Sequence, residues 1–163
     1  MNFILAIWIL PFALLGNGVQ DDQQSKQLKR FKSQLRQRIK IDQSTRTVLL
    51  KYRMRTKRED PEKLSKLTKK ASDADGENLE WLKEQVGNYG WPRLSWIGKK
   101  SQEEFFILVL HADRAPSFQK KCMELMSELP RGEWSPLHYK RLEHRLKTVQ
   151  KNLPEIWFIF PHK

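Results

Sequence analysis

The stretch GWPRLSWIGKKSQEEFFILVLHADRAPSFQ, from Gly90 to Gln119, decides the reading of this chain. Gly90-Trp91-Pro92 predicts an ordered loop, because proline restricts the residue before it to extended geometry. Gly98 closes that loop. Ser101-Gln102-Glu103-Glu104 has the form of a capping box and opens the apolar run Phe105 to Leu110. A run apolar on every side predicts a central, buried helix. So short a run is also compatible with a strand, and the cap favours the helix. The run ends on His111-Ala112-Asp113. Pro116 suits a first helical turn, so a second helix is expected from there through Phe118 and Gln119 to about Leu129.

Working outward, helical spacing recurs on both sides. Gln20 to about Lys57 reads as one long helix, with Leu28, Phe31, Leu35 and Ile39 on one side, Val48, Leu49 and Tyr52 continuing it, and Lys and Arg on the other. Asp60-Pro61 punctuates the chain. Glu62 to Lys70 predicts a short helix. Asp73 to Gly76 predicts a turn in which Asp73 or Asp75 caps the next helix, Glu77 to Val86, which Gly87 stops. Ser135-Pro136 starts a last helix carrying Leu142, Leu146 and Val149, which Pro154 ends. Ile156 to Phe160 is an apolar tail, a short strand or a plug against the core. The expectation is a mostly α, single-domain helical bundle with a long N-terminal helix. In it a basic helical region, 19–70, belongs to one domain with a helical core, 71–163.

At 163 residues there is room for one domain and a proper core. The formal charge of +12 is unevenly placed. Val19 to Lys70 holds 17 Lys/Arg against 6 Asp/Glu, whereas Ala71 to Lys163 holds 14 against 13. Such asymmetry speaks to association rather than fold. Ahead of the basic region, Phe3 to Leu15 is a continuous apolar run, too short for a span of roughly 20 residues. With Gly16-Asn17-Gly18 behind it, Met1 to Gly18 reads as a signal peptide cut before Val19, which makes the chain secreted or periplasmic. An uncleaved anchor and a buried N-terminal helix are the alternatives, and the polar stretch that follows argues against the buried helix; the mature chain would carry no transmembrane span. Cys122 is the only cysteine, so no intrachain disulfide forms. It falls on the apolar face of Phe118, Leu125, Met126 and Leu129, as a core residue rather than a nucleophile.

Several of these residues, in order, resemble one bacterial domain-of-unknown-function family, the six-six-two-four family. They are Asp42-Gln43 with Arg46, Asn78 with Leu82, Gly90-Trp91-Pro92, Gly98, His111-Ala112-Asp113, Phe118-Gln119, and Leu142 with Arg145. The set covers about Ile41 to Leu146, and its specificity lies in the ordered Gly-Trp-Pro, His-Ala-Asp and Phe-Gln pieces. The family has Asp-Arg in its last helix and a Tyr-Gly-Thr-Gln-like tail. Here His144 precedes Arg145, and the tail reads Ile156-Trp157-Phe158-Ile159-Phe160. The resemblance implies a mostly helical domain, often exported, and no reaction.

The chemistry-bearing residues are few. Asp42 and Arg46, four apart, face the same way on a helix, as an ion pair or as the anchor of a polar pocket. His111 and Asp113, two apart, point about 200° apart on a continuous helix and cannot share a metal there. His111 is either a hydrogen-bonded core imidazole or a general base. Asp113 is its partner, or caps the helix that starts at Pro116. His138, His144 and His162 match no zinc spacing, and no metal or cofactor is expected. No nucleophile elbow, phosphate loop or dinucleotide fingerprint is present. Trp81, Trp91 and Trp96 gather around the loop, as packing or as a sugar- or peptide-binding face.

The basic helix, with Lys29, Arg36 and Lys40 facing outward, is either a solvated face or the partner signal. Anionic lipid, lipopolysaccharide or an acidic polymer fits an exported chain. Nucleic acid fits poorly, because Phe31 and Tyr52 are too few for a stacking platform. The sequence therefore favours an exported binding or interaction module, with Arg46, Trp91, Gln119 and Arg145 as further binding residues. The alternative is a small hydrolase-like enzyme using His111 with Asp42 or Asp113.

Overall fold

The computed structural model describes the backbone of residues 17–55 and 60–151 and the side chains of 22–55 and 60–148. The apolar run Phe3 to Leu15 and the tail Ile156 to Phe160 lie outside the described residues. The described chain is all helical: α1 (Asn17–Arg55), α2 (Pro61–Tyr89), α3 (Leu94–Leu110), α4 (Pro116–Ser127) and α5 (Pro136–Lys151). No described helix is long and apolar enough to cross a membrane.

The 39 residues of α1 extend about 58 Å at 1.5 Å per residue. Its inner stripe of Phe31, Leu35, Asp42, Thr45 and Leu49 repeats at three and four residues and is buried. α2 runs antiparallel beside it. Gln27 reaches Tyr89, Gln34 accepts from Trp81 Nε1, Arg38 reaches Asn78, and Tyr52 bonds Asp60, at steadily falling α2 positions. α3 then returns alongside α1 in the parallel sense, with Phe31 against Trp96 and Phe105 and Asp42 against His111. α4 and α5 pack as a pair on α3.

Two elements differ from the sequence expectation. The short helix, the turn at Asp73–Gly76 and the helix from Glu77 are one continuous helix. Leu64, Leu67, Ala71, Ala74, Asn78, Trp81, Leu82 and Gln85 form an unbroken stripe against α1, and that packing overrides the local turn propensity. Asp60 rather than Asp73 or Asp75 is the N-cap, accepting from the amides of Glu62 and Lys63. Gly87 does not stop α2; Gly90 does, at φ 69°, with its N–H on Val86 O.

The second difference is at the start of α3. Leu94 to Ile97 is already helical, and Gly98 (φ 78°, ψ 160°) breaks the path before the long segment begins. Ser101 and Gln102 are thus inside the helix and buried, not its cap. Gln102 Nε2 donates to Pro92 O and Glu133 O, both at 2.9 Å. This one side chain fixes the Gly-Trp-Pro loop and the α4–α5 connection to the central helix.

The core is aromatic at one end. Phe31, Trp81, Trp91 and Phe105 have neighbouring ring centroids 5.5–6.0 Å apart, within the range favoured by aromatic pairs. Trp96 packs on Phe31 from the rim. The other end of the α1–α3 contact is polar.

Candidate functional site

Where α3 ends, all five helices place a polar side chain. His111 terminates α3, its ring turned toward α1. Its Nδ1 lies 3.0 Å from Asp42 Oδ1 and 3.1 Å from Oδ2. An ionised carboxylate only accepts, so Nδ1 carries the hydrogen and Nε2 is the ring nitrogen away from Asp42. Arg46, one turn further along α1, donates from Nε to Asp42 Oδ1 at 3.1 Å, and its Nη2 pairs with Asp75 of α2. Gln43 Nε2 also donates to Asp42, at 2.7 Å. Asp42 has no exposed side-chain surface, whereas the His111 side chain keeps 11%. The carboxylate is therefore walled in, and the imidazole has an edge at the surface.

Burial pushes the Asp42 carboxyl up. The hydrogen bond from His111 and the charge and hydrogen bond of Arg46 outweigh it and hold the group below the ordinary carboxylate value. Asp75 goes the other way. Burial raises it by more than Arg46 lowers it, and the charge of Asp42 adds to the upward push. The two carboxylates on one guanidinium are thus separated in acidity, an arrangement typical of acid–base sites.

Asp113 does not partner His111. It turns to α5, where Arg145 grips it with both arms of the guanidinium, Nε on Oδ1 at 3.0 Å and Nη2 on Oδ2. Nor does it cap α4, whose N-cap is Ala115 with no side-chain bond. Gln119 is fully buried and donates from Nε2 to Val109 O and Leu110 O, satisfying the last carbonyls of α3. Its Oε1 has no hydrogen-bond partner, nor has Asn78 Nδ2. Both belong to side chains buried beside this network: Asn78 is one turn from Asp75, and Gln119 sits on the carbonyl preceding His111. Unsatisfied buried polar atoms carry a cost of about 1–3 kcal/mol each.

The remaining binding residues fall elsewhere. Trp91 is buried edge-on against Phe105, so it is a packing residue rather than a ligand platform. Lys29, Arg36 and Lys40 are exposed on α1, far from the core. Cys122 is buried, and burial pushes its thiol up to about 12, which excludes it as a nucleophile. Among the described residues no group of three His, Cys, Asp or Glu side chains could hold a metal.

A second polar cluster was not legible in the sequence. Glu103 of α3 binds His138 Nε2 and Arg141 Nη1 of α5. His138 stacks flat on Phe106, with centroids 4.1 Å apart and 3° between planes. The only signal was helical spacing: His138 and Arg141, three apart, face the same way.

No protein-family model, no curated protein and no solved structure matches this chain, so the likeness to the six-six-two-four family rests on its ordered motif residues alone.

Proposed function

We propose that this protein is a small hydrolase-like enzyme in which His111, oriented by Asp42, moves the proton. The observation that carries this reading is the bond between His111 Nδ1 and the buried Asp42 carboxylate, two residues 69 positions apart in the chain. Asp42 fixes the tautomer and the ring orientation, as the acid member of a His–Asp pair does. Nε2 then accepts a proton from water as the water oxygen attacks an acyl carbon. It returns that proton to the leaving group when the tetrahedral species collapses. With Cys122 buried, water is the nucleophile in this reading. Convergence of His111 with Asp42 is what shifts the balance from a pure binding module toward the enzyme. Export, carried by the Phe3–Leu15 run and the Gly16-x-Gly18 site, remains part of the proposal.

The test is a panel of nitrophenyl esters and phosphates assayed with wild type, His111→Gln and Asp42→Asn, each checked for an unchanged melt and helical spectrum. Turnover that falls about a hundredfold or more in His111→Gln supports the reading. Turnover unchanged by His111→Gln, or no turnover above the water rate by wild type, overturns it. The dyad would then serve only to tie α1 to α3.

A further inference from the structure

The outer face of α1 is a second feature, independent of the His111 site. At 100° per residue, Lys29, Arg30, Arg36, Lys40, Lys51 and Arg55 all fall within an arc of about 120°. All six are exposed. The arc is about 39 Å long at 1.5 Å per residue. Between Gln23 and Arg55 the only acidic residue is Asp42, which is buried on the opposite side. From Lys29 to Arg55 no exposed carboxylate of the same helix relieves the positive field of this face; Asp22, nearly two turns ahead of Lys29, pairs with Lys26.

Three exposed apolar side chains lie on or at the edge of the same arc: Ile41 at 43%, Val48 at 51% and Met54 at 77% exposure. They are three of only five large hydrophobic residues exposed among those described. Their clustering there distinguishes between partners. A soluble polyanion needs only the charges. A helix that lies in a lipid interface needs basic residues for the headgroups and apolar residues that dip below them.

We propose that the outer face of α1 docks the folded protein on an anionic membrane surface. Lys29, Arg30, Arg36, Lys40, Lys51 and Arg55 contact lipid phosphates, and Ile41, Val48 and Met54 enter the headgroup boundary. The inner face of α1 keeps its packing on α2 and α3, so docking needs no rearrangement of the fold.

The experiment is co-sedimentation of the full chain with equimolar phosphatidylglycerol–phosphatidylcholine vesicles and with phosphatidylcholine vesicles. The ratio of the two removes any charge-independent contribution from the Phe3–Leu15 run. Two exposed-face variants are compared, K29E/R36E/K40E and I41S/V48S/M54S, with circular dichroism confirming that each keeps its helices. The expected result is strong preference for anionic vesicles, lost toward about 1 M salt, where screening reaches about 3 Å. Each basic contact is worth about fivefold in partitioning, so the triple charge reversal should cost about a hundredfold or more. The triple serine variant should also weaken binding severalfold.

Absence of any preference for anionic vesicles at low salt overturns the proposal. So does equal binding by wild type and the charge-reversed variant. Binding that is indifferent to the serine variant and equalled by soluble dextran sulfate would identify a polyanion site instead, and would overturn the lipid assignment. None of these outcomes bears on turnover at His111, which is read separately.

Discussion

His138 shows how much a single side chain's surroundings decide. It lies flat on Phe106, with Glu103 on Nε2, and the Arg141 guanidinium also lies over the Phe106 ring. Its Nδ1 is buried with no partner. The neutral tautomer with hydrogen on Nε2 satisfies Glu103, whereas a second proton would sit on a buried Nδ1 that has no acceptor. Burial accordingly lowers its pKa from 6.5, and Arg141 adds to this, more than Glu103 raises it. The unfolded chain therefore takes up this proton at a higher pH than the folded one. The contribution of His138 to stability is complete above about pH 6.5 and is lost as pH falls through the lowered folded value. While it is being lost, the slope approaches about 1.4 kcal/mol per pH unit for one proton. Urea unfolding at pH 7 and pH 5 checks this. Wild type should lose more stability over the interval than His138→Gln, and equal losses would show that His138 does not carry the effect. Beyond its helical spacing with Arg141, the sequence did not announce this residue: it matched no ligand spacing, and its partner lies 35 positions away.

At the level of elements, sequence periodicity and the prolines were informative, and the expected caps and glycine stops were not. The apolar stripe of α1 and the central burial of α3 come from spacing, and the starts of α2, α4 and α5 from Pro61, Pro116 and Pro136. The break expected at Asp73–Gly76 does not occur, although the residues that hold α2 together were visible. The three-and-four spacing of Ala71, Ala74, Asn78 and Leu82 runs straight through Gly76, and an exposed glycine on the outer side imposes no stop. The same logic explains the site. Asp42, Arg46, His111, Asp113, Gln119 and Arg145 could each be picked out singly, but their partners could not. Pairing depends on which helices adjoin, and His111 goes to Asp42 rather than to its neighbour Asp113 because the two point to different sides of the end of α3. Continuity of α2 predicts the effect of substitution. Gly76 has no positive φ, and a Cβ there would meet nothing within 4 Å. Gly76→Ala should therefore stabilise the protein by up to about 1 kcal/mol, the helix-interior difference between the two residues. Gly98→Ala, at φ 78°, should destabilise it by a similar or larger amount, although space is equally open there. Thermal melts of the two variants should move in opposite directions; a lowered melting temperature for Gly76→Ala would restore the turn.

Across the whole molecule, the question is whether α4 and α5 open separately from α1, α2 and α3. The ties across that divide are specific. Gln102 of α3 holds Glu133 O, Gln119 holds the end of α3, Asp113 grips Arg145, and Glu103 holds His138 and Arg141. Phe118, Cys122 and Met126 of α4 and Leu142 of α5 belong to the same apolar cluster as Phe31 and Trp81. Breaking these ties one at a time would strand buried polar groups, so the five helices should unfold as one unit. Cys122 reports on this directly. It is fully buried, is the only thiol, and is pushed up to about 12, so a disulfide reagent reaches it as thiolate only after opening. Labelling in the limit of fast reclosing should then be slow in water. It should accelerate with urea along the slope set by equilibrium unfolding, because the opening that exposes Cys122 exposes the whole core. Fast labelling with little urea dependence would mean that α4 and α5 part from α3 on their own. The tie between Asp113 and Arg145 would then break without disturbing Asp42 and His111, and the polar centre would be held by α1, α2 and α3 alone.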